Sequence, residues 1–351
     1  MADESSGRSL LDLPASRWRG VIERQIDAAY RGDQVANWVF KHGVFEFGEM
    51  ANVPSHVRRD LAGRYSVAPP EIATCFESVD GTRRYLLELQ DGLKVESVYM
   101  PYADRVTLCI SSQVGCRFGC TFCQTGVMGL GRSLTVGEIV GQVLRLRAEQ
   151  GRLDRPVNVV FMGQGEPLDN VDAVVAAVEA LQDPQGPGLG WRRITVSTVG
   201  VVNALPRLAE MGASRPRIAV SLNASTDEVR SELMPINRKW PIAELLDALR
   251  DIPWRPRERV TFEYVMLAGV NDTLDDARRL GALLHGLPAK VNLIPYNALP
   301  TLPYRRPSPE HVESFRIAAR ATGLDVLVRY SRGADIAAAC GQLHTSEVSG
   351  S

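Results

Sequence analysis

The strongest indication of the fold is the stretch RVTLCISSQVGCRFGCTFCQTG, residues 105–126. Its first part, Val106 to Ser111, is an apolar run of the length and composition of a buried strand. Three cysteines follow in a C-x3-C-x2-C spacing, at Cys116, Cys120 and Cys123. A strand that runs directly into a cysteine-rich loop predicts a metal site at the carboxyl end of that strand.

The chain beyond this loop alternates strand-like apolar runs with helical periods, which predicts a β/α repeat with a parallel sheet. Thr135 and Glu138 have the spacing of a capping box. Besides Val106 to Ser111, the predicted strands are Val157 to Met162, Arg193 to Thr198, Arg217 to Leu222, Arg259 to Met266, Lys290 to Pro295 and Asp325 to Tyr330. The predicted helices after the one opened by Thr135 are Val171 to Leu181, Ala204 to Met211, Ile242 to Arg250, Leu274 to Leu284 and Pro309 to Thr322. About six such units form a partial or full barrel that binds ligands at the carboxyl ends of its strands.

The chain before residue 103 has a different pattern. Helical periods over Trp18 to Tyr30, Asp33 to Phe40 and Pro54 to Tyr65 predict a small helical accessory domain over residues 1–70. Alternating β-rich sequence with Asp91-Gly92 as a hairpin turn predicts a short β extension or linker over residues 71–102. The barrel then occupies residues 103–344, and a frayed tail of small polar residues occupies 345–351.

Composition restricts the class of protein. The net charge is −1 and the pI is about 6.6, so bulk charge gives no basic footprint of the kind that many nucleic-acid-binding proteins have. The N-terminus lacks a basic region before an apolar run, and no stretch is long and apolar enough to cross a membrane. With only 6 cysteines, half of them crowded together, the chain favours metal binding over a disulfide framework. We therefore expect a protein of the reducing cytoplasm.

Three closely spaced thiolates suit a [4Fe-4S] cluster. Each thiolate binds one iron, and the fourth iron stays open to chelate a substrate. The alternative, a structural zinc site, needs four closed ligands, and the nearby Cys109 lies back on the strand. Three unrelated buried cysteines are a further alternative, which we rank below zinc.

The C-x3-C-x2-C spacing on the first β/α loop, with Phe122 before the third cysteine, resembles the radical S-adenosylmethionine (SAM) superfamily. The resemblance implies that the open iron binds SAM and that reductive cleavage yields a 5′-deoxyadenosyl radical. After the second strand, GQGE places Gly165 and Glu166 where that superfamily has a SAM-binding element. Polar groups also follow later strands at Ser197, at Ser221 and Asn223 on either side of Leu222, and at Asn297, and these strand ends together predict a cofactor-binding rim.

Two further cysteines, Cys109 and Cys340, would each be a small inert core residue if taken alone. The stretches that surround them and others along the chain resemble the RlmN/Cfr family of radical SAM RNA methyltransferases, most closely its RlmN branch. These stretches are RVTLCISSQVGC, GEPLDN, MPINRKWP, EYVMLAGVND, VNLIPYN and RGADIAAACGQL. The resemblance covers nearly the whole chain and implies a partial (β/α)6 barrel.

The family resemblance implies an unusual methyl transfer. One SAM methylates Cys340, and a second supplies the radical that activates the new methyl group for addition to an adenine carbon. The RNA is then bonded to Cys340 until Cys109 takes part in deprotonation and forms a disulfide with Cys340. Glu96 matches the proton acceptor of the family, although an exposed strand carboxylate is the alternative for this residue.

The implied substrate is C2 of adenosine in 23S rRNA, with tRNA as a second candidate. Base chemistry of this kind requires a single-stranded or extruded nucleotide. We also expect an electron donor such as flavodoxin or ferredoxin, and we expect the enzyme to be a monomer. Possible phosphate contacts, which we do not rank, are Arg192-Arg193, Arg305-Arg306 and Arg329 with Arg332.

Two departures and two rivals qualify this picture. Asn223 stands where the family usually has histidine, so cofactor contact there cannot involve a charged side chain. Gln164 stands where methionine is usual. The rival functions are methylation at C8 of adenosine and a non-catalytic iron-sulfur RNA-binding protein, and the presence of both Cys109 and Cys340 argues against the second.

Overall fold

The structure is a computed structural model that describes residues 8–151 and 155–343. Its main element is a sheet of 10 strands in the order β14-β13-β12-β11-β10-β9-β6-β5-β4-β3. The strands of this sheet are β3 (Glu71–Glu77), β4 (Arg83–Glu88), β5 (Lys94–Pro101), β6 (Val106–Cys109), β9 (Val157–Phe161), β10 (Ile194–Thr198), β11 (Arg217–Ser221), β12 (Val260–Met266), β13 (Ala289–Pro295) and β14 (Val326–Val328). Two pairs lie outside it: β1 (Arg8–Ser9) with β2 (Tyr65–Ser66), and β7 (Gln113–Cys116) with β8 (Gly129–Ser133).

The parallel part of this sheet confirms the β/α prediction. Strands β6 and β9 to β14 correspond to the predicted runs, and the pairs that they form with one another are all parallel. The order ends at β14 on one side and at β3 on the other, so within the described ranges the barrel is partial and open. The carboxyl ends of these strands share one rim, which positions the candidate site.

The β extension joins the barrel sheet and does not form a separate layer. Strand β5 pairs antiparallel with β6, with Val98 opposite Cys109, and β4 and β3 continue the sheet outward. Gly92, with a φ of 78°, lies in the turn predicted between β4 and β5. Residues 71–102 are therefore the antiparallel end of the central sheet, which places their side chains beside those of β6.

The helices follow the predicted periods with shifts at their ends. They are α1 (Trp18–Gln25), α2 (Tyr30–Asn37), α3 (Ser55–Ala62), α4 (Gln124–Met128), α5 (Val136–Glu149), α6 (Val171–Gln182), α7 (Leu205–Ala209), α8 (Asp227–Leu233), α9 (Ile242–Arg250), α10 (Leu274–Leu283) and α11 (Pro309–Arg320). The Thr135–Glu138 capping box of α5 is confirmed, because each side chain accepts a hydrogen bond from the other residue's backbone N–H. Helices α4 and α8 and the β7–β8 hairpin did not emerge from the sequence, because each is short and interrupted by glycine or polar residues.

The N-terminal helices pack on the barrel through one continuous core. The run predicted as a helix from Trp18 to Tyr30 breaks after Gln25, and the Asp27 carboxylate accepts a hydrogen bond from the Ala28 N–H at 2.7 Å. Trp18, buried in α1, belongs to the same apolar cluster as the strands of the sheet. Asp12 accepts a hydrogen bond from the N–H of Gly137 at 2.6 Å, which ties this region to the first turn of α5.

No helix within the described ranges is both long and apolar enough to cross a membrane. The tail predicted over 345–351 lies outside the described residues.

Candidate functional site

The cysteine loop lies at the carboxyl end of β6 and is shaped by the β7–β8 hairpin. Cys116 is the last residue of β7, Cys120 is buried in the following loop, and Cys123 directly precedes α4. The Cys123 N–H donates to the Cys120 carbonyl at 3.1 Å, which closes a tight turn. Burial raises the pKa of the Cys116 thiol to about 12, and it also raises the pKa values of Cys120 and Cys123. A metal that binds such a thiol displaces its proton, so the sulfur binds the metal as a thiolate.

Single-ion geometry is not found at this loop. Within residues 8–151 and 155–343, no group of 3 or more His, Cys, Asp or Glu side chains could hold one metal ion. The thiolates of a four-iron cluster bind different irons, so they surround a volume and do not converge on a point. The donor set of closely spaced thiols suits an iron-sulfur cluster in this respect.

The cluster-loop cavity, of about 160 Å³, lies between this loop and the carboxyl ends of β9 to β13. Of the predicted residues, those that line it are Cys120, Cys123, Gly165, Glu166, Ser197, Ser221, Asn223 and Cys340. Cys116 and Leu222 do not line it, and neither does Asn297, whose amide instead donates to the Ser331 hydroxyl at 2.8 Å. The structure thus brings most of the predicted cofactor rim together around one space.

Glu166 is the buried carboxylate of this cavity. Its two oxygens accept hydrogen bonds from the backbone N–H groups of Leu168, at 2.9 Å, and of Val199, at 2.8 Å. Burial raises its pKa to about 7, against the opposing effect of these hydrogen bonds. The Thr198 side chain is a third hydrogen-bond partner, which leaves one lone-pair site of the carboxylate for a cationic group in the cavity.

Gly165 shows why the GQGE loop requires glycine. Its φ is 94°, and a Cβ at this position would lie 2.5 Å from the Cβ of Gln113. The loop therefore passes closer to β7 than any other residue allows. Gln164 beside it is buried, and its side-chain oxygen accepts a long hydrogen bond, 3.4 Å, from the N–H of Glu96.

Asn223 occupies the strand end where the resembled family has histidine. It is buried with a φ of 58°, a conformation that asparagine tolerates better than most residues. Its side-chain oxygen accepts a hydrogen bond from the Val265 N–H at 2.8 Å, and its amide contacts the Met234 sulfur at 3.2 Å. The amide side chain thus connects the rim at β11 to the rim at β12.

Arg230 in α8 is a residue of the site that sequence reasoning missed. Its guanidinium is fully buried and donates to the carbonyls of Val199, at 2.6 Å, and Leu222, at 3.1 Å. It also donates to the Asn237 side-chain oxygen at 2.8 Å, within the MPIN stretch that carried the family resemblance. Burial lowers its pKa to about 10. Arg230 therefore fixes the carboxyl ends of β10 and β11 against each other.

Two orphaned polar atoms show that the cluster-loop cavity is suited to a polar ligand. The Glu263 Oε2 and the Tyr296 hydroxyl are buried, line the cavity, and make no hydrogen bond within the described part of the chain. Buried polar groups without partners are costly and rare in folded proteins. The residues present thus fit a polar cofactor beside a cluster, and SAM has this character. The superfamily pattern alone did not point to Glu263.

Cys340 lies where the cluster-loop cavity meets a smaller space. This second space, the thiol cavity, has a volume of about 30 Å³ and is lined by Cys109, Arg329, Cys340 and side chains from β5 and the C-terminal loop. Cys340 and Met162 line both cavities. The structure therefore places Cys340 between the cysteine loop and Cys109.

The chemical state of the two thiols follows from their surroundings. Burial raises the pKa of Cys109 to about 12 and also raises the pKa of Cys340, while the nearby Arg329 acts in the opposite direction on both. All 6 cysteines of the described residues are free thiols. The disulfide between Cys109 and Cys340 therefore stays a prediction about turnover. Arg329, named as a possible phosphate contact, instead lines the cavity of these thiols.

Glu96 on β5 is not the exposed carboxylate of the alternative interpretation. It is 1% exposed and forms an ion pair with the buried Arg84 on β4, at 2.5 Å. It lines neither cavity. The alternative was wrong because the β extension pairs with the barrel, which covers this face of β5.

The loop that carries Cys340 is held from several sides. The Gln124 N–H of α4 donates to the Gly341 carbonyl at 2.8 Å, and the Thr125 hydroxyl donates to the Leu343 carbonyl at 2.8 Å. The Asp335 carboxylate accepts a hydrogen bond from the Ser78 hydroxyl at 2.6 Å. The cysteine loop, the barrel and the β extension thus position Cys340 together.

Comparisons with known proteins agree with this site. The model of the Radical SAM superfamily matches residues 110–280, and the model described as the ribosomal RNA large subunit methyltransferase N-terminal domain matches residues 9–67. The chain is 48% identical over 341 residues to the dual-specificity RNA methyltransferase RlmN of Anaeromyxobacter sp. strain Fw109-5, covering 95% of this chain and 90% of that protein. It is 46% identical to the protein of the same name from Paracoccus denitrificans, covering 98% and 91% of the two chains.

A solved structure gives the same result. A radical SAM methyltransferase from Sphaerobacter thermophilus superposes with a TM-score of 0.92 at 42% identity, covering 97% of this chain and 100% of that one. The superfamily implies SAM and an iron-sulfur cluster as cofactors. On its sequence, its fold and the arrangement of its cysteines, the chain belongs to the RlmN family of radical SAM RNA methyltransferases.

Proposed function

We propose that this protein methylates C2 of adenosine in 23S rRNA and in tRNA, with Cys340 as the carrier of the methyl group. The observation that supports this most directly is the place of Cys340, which lines both the cluster-loop cavity and the thiol cavity. A methyl carrier must meet the methyl donor and then a second thiol that releases the product. Cys340 borders both the cavity proposed for SAM and the cavity that Cys109 lines.

We propose that Cys116, Cys120 and Cys123 hold a [4Fe-4S] cluster and that the cluster-loop cavity binds SAM, two molecules per turnover. When bound, these groups supply an electrophilic methyl group and a carbon-centred radical. Glu166 would accept hydrogen bonds from the ammonium group of SAM, with Gly165 giving it close backbone contact. The remaining proposed cofactor contacts are Ser197, Ser221, Leu222, Asn223 and Asn297. Leu222 and Asn297 do not line the cavity and would support the residues that do.

Cys340 and Cys109 divide the chemistry between them. The Cys340 thiolate displaces S-adenosylhomocysteine from the methyl group of SAM, forming an S–CH3 bond. Arg329, which lines the thiol cavity, favours the thiolate of either cysteine. After the carrier is bonded to adenine, Cys109 takes part in removing the ring proton, and as a thiolate it then attacks the Cys340 sulfur. The disulfide forms as the bond between that sulfur and the methylene carbon breaks; the electron pair of the broken bond stays on the carbon, which takes up a proton and becomes the methyl group of the RNA product.

Glu96 as proton acceptor stays a prediction. Its carboxylate is paired with Arg84 and covered by the sheet, so it would need a rearrangement to meet an adenine carbon. A positioning role is the simpler one, because the Glu96 carbonyl accepts a hydrogen bond from the Ser111 hydroxyl at 2.6 Å, next to the cysteine loop. The Glu96–Arg84 pair holds β5 against β4, and the Ser111 hydrogen bond joins β5 to the segment that follows β6.

The RNA substrate, the electron donor, the oligomeric state and the location are also proposals. RNA is the substrate of the named relatives, and we extend it to this chain. We also propose a flavodoxin or ferredoxin as electron donor, a monomeric enzyme and the reducing cytoplasm as its location.

The experiment that tests this function is anaerobic reconstitution of the holoenzyme with SAM, a reductant and protein-free rRNA or tRNA. Nucleoside mass spectrometry with C2 and C8 standards then identifies the product. We expect 2-methyladenosine. SAM cleavage without any methyladenosine would contradict the methyltransferase assignment, and 8-methyladenosine would move the protein to the rival regiochemistry.

A pair of matched variants tests the roles of the thiols. Cys109→Ala should accumulate a covalent protein–RNA adduct, because attack on the Cys340 sulfur is lost. Cys340→Ala should form no adduct and no product. Denaturing gel electrophoresis with labelled RNA distinguishes the two, and identical behaviour of both variants would mean that the assigned roles are wrong.

A further inference from the structure

Positive charge gathers at the amino ends of the parallel strands, opposite the cluster-loop cavity. A groove of about 370 Å³ lies there, which we call the amino-end groove. Its lining includes Trp191 and the cations Arg192, Arg217, Arg257, Arg259 and Lys290. The clustering is local, since the whole chain has a net charge of −1.

Three of these cations form a row across neighbouring strands. Arg217 is the first residue of β11, Arg259 directly precedes β12, and Lys290 lies in β13 opposite Thr261. Parallel strands lie about 4.8 Å apart, so the row follows the edge of the sheet at close spacing. A row of this kind matches a linear polyanion better than a single small anion.

The carboxylates of the region are already engaged. Glu258 is buried, and its oxygens pair with Arg215 at 2.7 Å and Arg255 at 3.2 Å. Asp325 pairs with Arg259 at 2.5 Å. In the described part of the chain, the side chains of three exposed groove residues make no hydrogen bond or ion pair; these are Arg192, Arg217 and Arg257. The groove therefore has uncompensated positive charge.

The groove is also under electrostatic and backbone strain. Burial, followed by the charge of Arg217, lowers the pKa of Lys290. Arg257 has a φ of 65°, one of only 3 positive values among non-glycine residues of the described ranges. Of the other two, Asn223 lines the cluster-loop cavity and Ala337 precedes Cys340 in the C-terminal loop. Like charges and strained backbone that are kept together in this way are typical of a binding site.

We propose that the amino-end groove binds the phosphodiester backbone of the RNA substrate, at a point remote from the adenine that reacts. This inference rests on the proposed function. Strands of 5 to 7 residues at about 3.3 Å per residue place the groove roughly 17–23 Å from the opposite rim. A folded RNA would span this distance around the barrel, and a short oligonucleotide would not.

An acidic electron-transfer protein is the rival occupant of a basic groove. Such a donor must approach the cluster, and Cys116, Cys120 and Cys123 lie beyond the opposite ends of the strands. The position of the groove therefore favours RNA.

The test compares two triple variants of the reconstituted holoenzyme. The first, Arg192→Gln with Arg217→Gln and Arg257→Gln, removes three groove cations. The second, Arg250→Gln with Arg278→Gln and Arg316→Gln, removes the same charge from helical arginines that are each paired with a carboxylate three residues earlier in the chain. Affinity for protein-free 23S rRNA and for a stem-loop of the target adenine alone is measured from low to high salt.

The groove variant should bind the long RNA about tenfold more weakly at low salt, and the slope of log affinity against log salt should fall by about 2. Its affinity for the short stem-loop and its rate of SAM cleavage should match those of the wild type. The helix variant should match the wild type on both RNAs. Thermal unfolding verifies that the groove variant folds, and we expect no loss of stability because like charges are removed.

Each other outcome has a definite meaning. A wild-type enzyme that methylates RNA, with a groove variant of unchanged affinity and slope, overturns the groove assignment alone. Slower reduction of the cluster by a flavodoxin or ferredoxin, with unchanged RNA affinity, assigns the groove to the electron donor and overturns it too. A wild-type enzyme that neither binds nor methylates RNA overturns the proposed function together with this inference.

Discussion

The two cavities that meet at Cys340 are built in different ways. The cluster-loop cavity, about 160 Å³, lies among the carboxyl ends of the parallel strands and contains the orphaned polar atoms of Glu263 and Tyr296. The thiol cavity, about 30 Å³, is lined by side chains from β5, β6 and the C-terminal loop, and contains Cys109 with Arg329. The barrel thus provides a cavity at the strand ends, as β/α folds usually do. The antiparallel strands and the C-terminal loop enclose a second cavity beside it, lined by the thiols of Cys109 and Cys340.

This difference predicts how damage to each region should act. Changes in the cluster-loop cavity should stop the chemistry before SAM is cleaved. Changes around the thiol cavity should leave cleavage intact and affect the transfer or release of the methyl group.

The largest effect is expected for Cys120→Ala, which removes a proposed cluster ligand. The variant should lose the brown absorbance and the iron of the cluster, and with them all SAM cleavage and methylation. Metal analysis and assay of 5′-deoxyadenosine measure both. Cys75→Ala is the matched control, because Cys75 is exposed on β3 and lines neither cavity. A full cluster in Cys120→Ala would refute the ligand assignment.

The next effect concerns the buried ion pair on β5, the strand whose Met100 lines the thiol cavity. Arg84→Met leaves the buried Glu96 carboxylate without its cation and should lower the free energy of unfolding by about 3–5 kcal/mol. Arg83→Met removes a surface ion pair with Glu77 and should cost at most about 1 kcal/mol. Urea denaturation compares the two variants. An equal and small loss for both would mean that the Arg84–Glu96 pair does not hold β4 against β5.

The smallest expected effect is a pH dependence of stability at Asp80, which binds Arg332 in the segment that leads to Cys340. Asp80 accepts hydrogen bonds from the Thr82 N–H at 2.8 Å and from Arg332 at 3.2 Å. Burial acts to raise its pKa, but the hydrogen bonds outweigh burial, and the pKa lies well below the ordinary value of 3.8. Asp80 therefore contributes stability above about pH 3.8, and this contribution is lost as the pH falls toward the lowered pKa.

Asp80→Asn should be less stable than the wild type by up to about 1 kcal/mol at neutral pH, and the difference should shrink below pH 4. Urea midpoints measured across this range test it. Glu77→Gln removes a surface carboxylate from the same hairpin without contacting the Cys340 loop, and it controls for the loss of one charge. A difference that is constant with pH would show that Asp80 acts through shape and not through charge.

Prediction from sequence worked best where periodicity is long and regular. The strands of the parallel sheet and helix α9 (Ile242–Arg250) were found because apolar residues repeat over several turns or strand positions. The β7–β8 hairpin was missed because its strands are short and contain glycines, which give no β signal. The side-by-side placement of β5 and β6 depends on long-range pairing that local sequence does not encode.

The site was predictable to a similar extent. The cysteine loop and the GQGE element have distinctive spacing, and the structure collects most of the predicted rim around one cavity. Arg230 and Glu263 were not found, because a lone arginine in α8 and a lone glutamate in a strand carry no local signature of burial. The alternative interpretation of Glu96, an exposed carboxylate, considered its strand alone, and its partner Arg84 becomes a neighbour only after β4 and β5 pair.

The other proposed roles depend on Cys340 as the carrier of the methyl group. The most direct measurement is the mass of the Cys340 peptide from holoenzyme incubated with methyl-labelled SAM in the absence of RNA, followed by addition of RNA. We predict that Cys340 gains one labelled methyl group. The labelled carbon should then appear on adenosine after losing one of its original hydrogens. An unmodified Cys340 in an enzyme that still delivers labelled methyl groups to RNA would contradict this account.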